Sequence, residues 1–311
     1  MKIKGRKFAL KGPLSLMMFA GRLALWSRNE SSREHLLWLD STEAAVLLQF
    51  SEAPRESAEV AKAVGAEYNS QFERLIDKLV QHRILSEDVT ERDEPFYLLY
   101  SPGTKKGEAV CLVESDALES HIVRNISDGI ITSGLVGENP LAPGAFARTT
   151  RGFAVKFRRD ALDRIIKLMP WTQPYFDKIL DENVARYFSA GRLENSQPNA
   201  FYFSVLVVPP GSGTRLHVDV SLDGRTTPSL VSVLYLETVT QGGLLYLSDA
   251  NWPVGLINPR PGMIVHFRGD LTHGVTNTPS SSVVRLSLIC EQYCLNEEKM
   301  GLYPKLELVI R

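Results

Sequence analysis

"AFYFSVLVV" (200–208), "SLVSVLYLET" (229–238), "GLLYLS" (243–248), "GMIVHF" (262–267) and "VVRLSLICEQY" (283–293) are short apolar runs crowded into the C-terminal third of the chain. They are rich in Val, Leu, Ile, Tyr and Phe, and their lengths suit strands packed against a core. Gly, Pro, Asn and Asp fill the gaps, as in "QGG" (241–243) and "NPRPG" (258–262), which is the chemistry that reverses a chain. Short strands with regular turn signals predict an antiparallel barrel or jelly roll.

Polar residues stand in this region where metal chemistry needs them. "GTRLHVDVS" (213–221) sets His217 and Asp219 two residues apart, so on an extended backbone both side chains point the same way. "DLTHGVTNT" (270–278) delivers His273 from a later strand end. Two imidazoles and one carboxylate are the ligand set expected for non-haem Fe(II), with the opposite face of the metal open. An H-x-D pair alone is more often a surface loop or a hydrogen-bonded core pair; the later histidine gives it weight. Arg285 then falls inside "VVRLSLI" (283–289). A charge within an apolar strand is costly unless paired, and a planar guanidinium matches a carboxylate through two parallel hydrogen bonds. Arg285 is therefore the candidate partner for the remote carboxylate of an oxo-acid cosubstrate. His266, inside "GMIVHF", is expected to be a satisfied strand histidine, while His35, His82 and His121 carry no ligand context.

The whole chain sets bounds on these readings. Its 311 residues can bury a sizeable core in one large domain or two smaller ones. With 44% hydrophobic and 23% charged residues and a formal net charge of -1, it is not built to bind a polyanion over its whole surface. Cys111, Cys290 and Cys294 are too few for a disulfide framework and read as buried thiols in a reducing compartment. The start, "MKIKGRKFALKGPLSLMMFAGRLALW" (1–26), is basic and then apolar like a signal peptide. Arg22 interrupts its apolar run, and no small-residue cleavage site follows. No other run approaches the roughly 18 apolar residues needed to span a bilayer. A cytoplasmic protein without membrane contact is expected.

Upstream the patterning differs. "LSLMMFAGRLALWS" (14–27) reads as two short strands turning at Gly21. "LLWLDSTEAAVLLQF" (36–50) reads as a brief strand and a helix capped by Ser41 or Thr42. "RESAEVAKAVG" (55–65) is a second helix closed by Gly65. The third, "NSQFERLIDKLVQHRIL" (69–85), is capped by Asn69 and spaces Phe72, Leu75, Ile76, Leu79 and Val80 at helical intervals. These pieces suggest a winged-helix unit over 1–92, left through the charged segment "SEDVTERDEP" (86–95). Between 95 and 200, "PFYLLYS" (95–101) and "EAVCLVES" (108–115) look like strands. "RDALDRIIKLMPW" (159–171) and "QPYFDKILDENVARYF" (173–188) look like helices cut by Pro170 and Pro174. "GLVGENPLAPGAFARTT" (134–150) reads as a loop that could cover a site.

From about 199 to 294 the chain resembles the prolyl-hydroxylase-like branch of the Fe(II)/2-oxoglutarate-dependent oxygenases. The segments that carry the resemblance are "VVPPGSGTRLHVD" (207–219), "VLYLETVTQGGLLYL" (233–247), "PRPGMIVHFRGDLTHGVTNT" (259–278) and "VVRLSLI" (283–289). It implies an α+β chain with a C-terminal double-stranded β-helix (jelly roll) and flanking helices over 93–311, preceded by the small winged-helix-like domain. It also implies that His217, Asp219 and His273 bind iron, that Arg285 holds the side carboxylate of 2-oxoglutarate, and that Ser287 and Tyr235 add contacts to it. O2 is the other cosubstrate, and the cycle turns 2-oxoglutarate into succinate and CO2 while a substrate is hydroxylated. Relatives in that branch often carry lysine at the position of Arg285, a departure that weakens proline as the substrate. Related halogenases replace the carboxylate ligand with a small residue, so Asp219 favours hydroxylation over halogenation.

Residues 8–90 resemble the peptide-binding winged-helix domains of the PqqD type, through "AGRLALW" (20–26), "STEAAVLLQF" (41–50) and "LVQHRIL" (79–85). Such domains extend their sheet with a peptide strand, which implies a leader peptide or carrier protein as partner. A generic winged-helix module for packing or dimerisation would show the same elements. The leading expectation is a dioxygenase acting on a peptide, a carrier-bound amino acid or a small amino-acid-like metabolite in a biosynthetic pathway. The competing reading, a DNA-binding regulator that senses 2-oxoglutarate or metal, gains from Lys2, Lys4, Arg6, Lys7 and Lys11. It suffers from the mixed charges of "SQFERLIDKLVQHR" (70–83). Arg215, Arg225, Arg268 and the 135–150 loop are the candidate substrate contacts.

Overall fold

The computed structural model describes residues 6–10, 15–19, 22–28, 34–50, 55–82, 84–87, 96–101, 109–137, 150–182, 184, 188, 197–220, 225–238, 243–250, 252–278 and 283–310. The chain divides into two compact units, Met1–Glu94 with Gly255–Asn258, and Pro95–Val254 with Pro259–Arg311. Among the described residues no helix is long and apolar enough to cross a membrane.

The first unit runs β1 (Lys7–Leu10), β2 (Ser15–Phe19), β3 (Arg22–Arg28), β4 (Glu34–Leu39), α1 (Ser41–Phe50), β5 (Arg55–Glu56), α2 (Ser57–Ala63), α3 (Ser70–Gln81) and β6 (Leu85–Ser86). Strand β1 lies between β5 and β6, and β2, β3 and β4 form a second small sheet. Phe19 stands opposite Arg22 in the β2–β3 pair, so the strands expected on either side of Gly21 are both present. Gly21 itself lies outside the described residues.

Helix α1 is capped one residue earlier than the sequence suggests. The Glu43 N–H donates to Asp40 Oδ1 at 2.8 Å, and the Asp40 N–H donates to Glu43 Oε2 at 2.9 Å. This is a capping box with Asp40 as the cap, satisfying two backbone donors reciprocally. Asn69 caps α3 as expected, its Oδ1 accepting from the Gln71 and Phe72 N–H groups. From α3, Phe72, Ile76 and Leu79 are buried with Phe8, Val46, Leu47, Phe50 and Val60 in one apolar cluster.

The second unit contains β7 (Phe96–Tyr100), β8 (Ala109–Glu114), α4 (Ser120–Thr132), β9 (Arg151–Arg158), α5 (Leu162–Leu168), α6 (Gln173–Ile179), β10 (Ala200–Val208), β11 (Thr214–His217) and β12 (Leu230–Glu237). It continues with β13 (Leu245–Asp249), β14 (Trp252–Ile257, of which the part from Gly255 is counted with the first unit), β15 (Ile264–Arg268), β16 (Thr272–Val275), β17 (Arg285–Tyr293), α7 (Glu297–Leu302) and β18 (Leu306–Ile310). The large sheet has the order β18-β9-β10-β17-β12-β15-β8-β7, and the small one β11-β16-β13-β14. All neighbours in the large sheet are antiparallel. One large and one small sheet with crossing connections is the architecture predicted for this region.

One face of the large sheet is covered by helices. Leu234, Leu236, Ile264, Leu286 and Leu288 share an apolar cluster with Ile126 and Ile130 of α4, Ile165 of α5, and Tyr175 and Phe176 of α6. Aromatic rings reinforce it: Phe157 stacks on Phe201 at 5.0 Å and meets Phe176 edge-on at 5.7 Å. Alternate residues of a strand point to opposite faces, so the other face, carrying Tyr235, Phe267, Arg285 and Ser287, is left for the site.

Several elements were not read from the sequence. Helix α4 buries Val123, Ile126, Ser127 and Ile130 at helical spacing, but Ser127 and Gly129 dilute its apolar stripe. Gly129 is needed there, since a Cβ would lie 2.4 Å from Trp171 Cγ. Strand β9 is the sequence RGFAVKFR, in which Phe153, Val155 and Phe157 alternate with small or charged residues. Pro170 does break the helical run, opening a 3₁₀ turn at Pro170–Thr172. Pro174 begins α6 rather than cutting it, because the first helical turn needs no N–H from that position.

Candidate metal centre

Strands β11 and β16 are neighbours in the small sheet, and His217 pairs directly with His273 across them. Their close approach depends on two glycines. A Cβ on Gly213 would lie 2.4 Å from the Val275 carbonyl oxygen, and one on Gly274 would lie 3.1 Å from that of Thr214. The register slips between Thr214 and His217, and such an irregularity re-aims side chains locally. The two imidazoles end up tilted at 47° with centroids 4.3 Å apart.

Asp219 stands between them. His217 Nε2 is 3.4 Å from its Oδ1, and His273 Nε2 is 3.4 Å from its Oδ2. One donor atom from each of the three residues lies within 4.8 Å of the others. Each ring is also fixed from behind by the carbonyl two residues upstream. His217 Nδ1 lies 2.8 Å from the Arg215 oxygen and His273 Nδ1 lies 3.2 Å from the Leu271 oxygen. Carbonyls accept, so both Nδ1 atoms carry hydrogen and both Nε2 atoms keep a lone pair for a metal. Phe267 closes the apolar side, its ring 4.9 Å from that of His273.

The electrostatics separate the two histidines. Burial pulls His217 down, but the hydrogen bond and charge of Asp219 outweigh it, and the imidazole is held above its ordinary value. Burial dominates at His273, which is held below it. Burial also pushes Asp219 up, yet the flanking imidazoles win and keep it ionised. Of the two imidazoles, His217 is therefore the one that takes up a proton more readily.

Arg285, Ser287 and Tyr235 share the face of the large sheet that carries Phe267. Tyr235 is the register partner of Ser287 in the β12–β17 pair, and Val231 is that of Glu291. Val231 also faces Phe267 across β12–β15. Residues in register share a face, so Arg285, Ser287 and Tyr235 lie on the same side as Phe267, the residue that touches His273. Arg285 is only 4% exposed. Its Nε and Nη1 have no hydrogen-bond partner among the described residues. Burial pulls its pKa below the ordinary arginine value, and the neighbouring Tyr235 only partly offsets that. Burial pushes the Tyr235 hydroxyl up to about 12, despite the charge of Arg285. A buried guanidinium with unpartnered donors is costly, and its planar fork matches the geometry of a carboxylate.

The remaining candidates separate from this group. His266 is fully buried on the helix-covered face, with Nδ1 2.9 Å from Ser232 Oγ and Nε2 3.1 Å from Glu114 Oε1. Gln292 Nε2 donates to the same Ser232 oxygen at 3.0 Å. That satisfied network is the role expected of a strand histidine. Arg215 and Arg225 are exposed. Arg268 is engaged by two carboxylates, Asp270 Oδ1 at 2.7 Å and Asp249 Oδ1 at 3.3 Å, an engagement no sequence signal announced. Of the 135–150 loop, residues 138–149 lie outside the described residues. Among the thiols, Cys111 and Cys290 are buried and Cys294 is half-buried, and the described residues form no disulfide.

No protein-family model matches the chain, and no curated protein matches its sequence. Solved structures do show a likeness. A prolyl hydroxylase from Trichoplax adhaerens, solved with a hypoxia inducible factor oxygen degradation domain peptide fragment, is 17% identical with a TM-score of 0.46; the match covers 62% of this chain and 86% of that one. A Pseudomonas putida prolyl-4-hydroxylase is 19% identical with a TM-score of 0.41, over 60% of this chain and 94% of that one. The viral collagen prolyl hydroxylase of Paramecium Bursaria Chlorella virus-1, in its 2OG complex, is 13% identical with a TM-score of 0.36, over 59% and 96%. At such distances the chemistry of this chain has to stand on its own geometry.

Proposed function

We propose that the second unit is a non-haem Fe(II)- and 2-oxoglutarate-dependent dioxygenase that hydroxylates its substrate. The observation that carries this reading is the pairing of two features in one two-sheet fold. Two Nε2 lone pairs and a carboxylate converge on one point, and a buried guanidinium with unpartnered donors stands on the sheet face that meets them. His217, Asp219 and His273 would hold the iron, with positions left for a bidentate oxo acid and for O2. Arg285 would receive the remote carboxylate of 2-oxoglutarate, with the Ser287 and Tyr235 hydroxyls beside it. When bound, iron and cosubstrate supply the oxidation: 2-oxoglutarate, O2 and R–H become succinate, CO2 and R–OH.

The chain's own residues hold the reactants in register. The Arg215 and Leu271 carbonyls fix the imidazole rings, and Asp219 brings a negative charge to the cation. Phe267 shields one side of His273 from water. Asp219 fills the position that a halide would need, which favours hydroxylation. For the substrate, the reading is a peptide, a carrier-bound amino acid or a small amino-acid-like metabolite of a biosynthetic pathway. Its support is the resemblance of the first unit to peptide-capturing winged-helix domains, whose partner would be a leader peptide or carrier protein.

Anaerobic incubation of the full chain with Fe(II) and 2-oxoglutarate, followed by O2 and cell extract, tests both levels. The expected result is slow succinate formation that His217→Ala abolishes, with a gain of one oxygen on a peptide or metabolite. Absence of Fe(II) and 2-oxoglutarate binding in the wild-type chain would overturn it.

A further inference from the structure

The second metal-binding histidine reaches the site by a crossing between sheets. Strand β15 belongs to the large sheet and ends at Arg268; β16 belongs to the small sheet and carries His273 as its second residue. Gly269, Asp270 and Leu271 make the connection, closed by the Leu271 N–H donating to the Arg268 carbonyl at 3.1 Å. The connection is also wedged from outside, since a Cβ on Gly269 would lie 2.1 Å from the Pro228 carbonyl oxygen.

Arg268 grips this crossing from within. Its Nε donates to Asp270 Oδ1 at 2.7 Å and its Nη2 to Asp270 Oδ2 at 3.1 Å, a forked pair across the turn. The same Nη2 reaches Asp249 Oδ1 at 3.3 Å. Asp249 closes β13, and β13 is paired with β16 so that Leu247 faces His273. One guanidinium thus ties the end of a large-sheet strand to the turn and to the small-sheet strand alongside His273. The next residue after Asp270 is Leu271, whose carbonyl holds the His273 ring. All three side chains are about a quarter to a third exposed, so the Coulomb gain alone is modest. The forked geometry and shared partner are what set direction.

We infer that Arg268 is a positioning residue for the metal centre rather than a substrate contact: its salt bridges to Asp270 and Asp249 set the turn whose Leu271 carbonyl aims His273 Nε2 at the metal. The inference rests on the iron reading of the site. Groups that orient a metal-ligating histidine typically change metal affinity by about 10- to 100-fold when removed. Lysine keeps the charge but not the fork, so it should restore little.

The test is Co(II) titration of the metal-free full chain, followed by visible absorption, with thermal melting of the metal-free protein alongside. Arg268→Gln should weaken Co(II) by roughly 10-fold or more, and Arg268→Lys should stay near the Gln value. Asp249→Asn, which removes one arm and leaves the fork, should fall between wild type and Arg268→Gln. It also provides a folded variant if Arg268→Gln does not fold. Both Asp249→Asn and any folded Arg268 variant binding Co(II) within twofold of wild type would overturn the positioning role while leaving the iron reading intact. A wild-type chain that binds no Co(II) or Fe(II) would overturn both.

Discussion

Replacing Arg285 with Met separates a ligand-binding arginine from a structural one, because the two roles predict opposite signs in the ligand-free protein. Arg285 is 4% exposed, and its Nε and Nη1 have no partner among the described residues. In the ligand-free state the guanidinium therefore bears a desolvation cost with little return, which is also why burial pulls its pKa down. Methionine follows much the same path with an unbranched apolar chain. Replacing buried charge by packed apolar atoms is often neutral or stabilising, by about 1–4 kcal/mol where measured. The melting temperature of ligand-free Arg285→Met should accordingly match or exceed that of wild type.

With 2-oxoglutarate the sign reverses. A buried, forked carboxylate–guanidinium pair costs about 2–5 kcal/mol when one partner is truncated. At 1.4 kcal/mol per tenfold, the dissociation constant should rise roughly 30-fold to a few thousand-fold. Anaerobic calorimetry with Co(II) in place of iron reads that constant without turnover, and thermal melting reads the other arm. Co(II) affinity itself should be unchanged, since Arg285 is not among the ligand residues. The reasoning fails if Arg285→Met melts well below wild type without ligand and still binds 2-oxoglutarate as wild type does. That pair of results would make Arg285 a core arginine.

Gly274→Ala should force β11 from β16, since its Cβ would meet Thr214 and Arg215 backbone at 3.1–3.2 Å; a loss of about 1–3 kcal/mol in urea unfolding should come with weaker Co(II) binding, and wild-type values for both would count against it. His266→Leu should leave Co(II) affinity as it is yet destabilise the protein by about 1–3 kcal/mol, because the buried Ser232 hydroxyl and the Glu114 carboxylate each lose the imidazole as a partner while the Gln292–Ser232 bond stays; lost metal binding in a folded variant would make His266 a ligand after all. Proton and metal compete for His217 Nε2, whose pKa is held above the ordinary histidine value by Asp219 against the pull of burial. Metal affinity should therefore rise with pH until above the usual histidine range, and calorimetry in buffers of different ionisation enthalpy should find protons released on metal binding within that range; no release there would refute the His217–Asp219 pairing.

Strands β10, β12, β13, β15 and β17 were legible because each is a short apolar run between turn residues, whereas β11 (TRLH) and β14 (WPVGLI) carry no such pattern; His217, Asp219 and His273 stood out as polar residues beside those runs. His217 and Asp219 share a face by spacing alone, and the structure pairs His217 with His273 across neighbouring strands. What escaped depended on partners distant in sequence. Helix α4 hides behind Gly129, a residue explained by Trp171 and by nothing in its own segment. The cap of α1 moved from Ser41 to Asp40 because Glu43 completes a reciprocal pair with Asp40, and any of three adjacent polar residues could have held that place.

Arg268 shows the limit most sharply. In sequence it is an arginine at the end of an apolar strand, much as Arg285 is an arginine at the start of one. Strand position cannot tell a guanidinium that waits for a ligand from one already satisfied. The difference lies in what stands opposite. Arg268 meets Asp249, nineteen residues upstream, and Asp270 two residues on, while Arg285 meets the apolar strands β10 and β12 and a neutral tyrosine. A carboxylate brought by the fold turns one arginine into a brace. Its absence among the described residues leaves the other with Nε and Nη1 unpartnered, which is the observation the proposed carboxylate contact stands on.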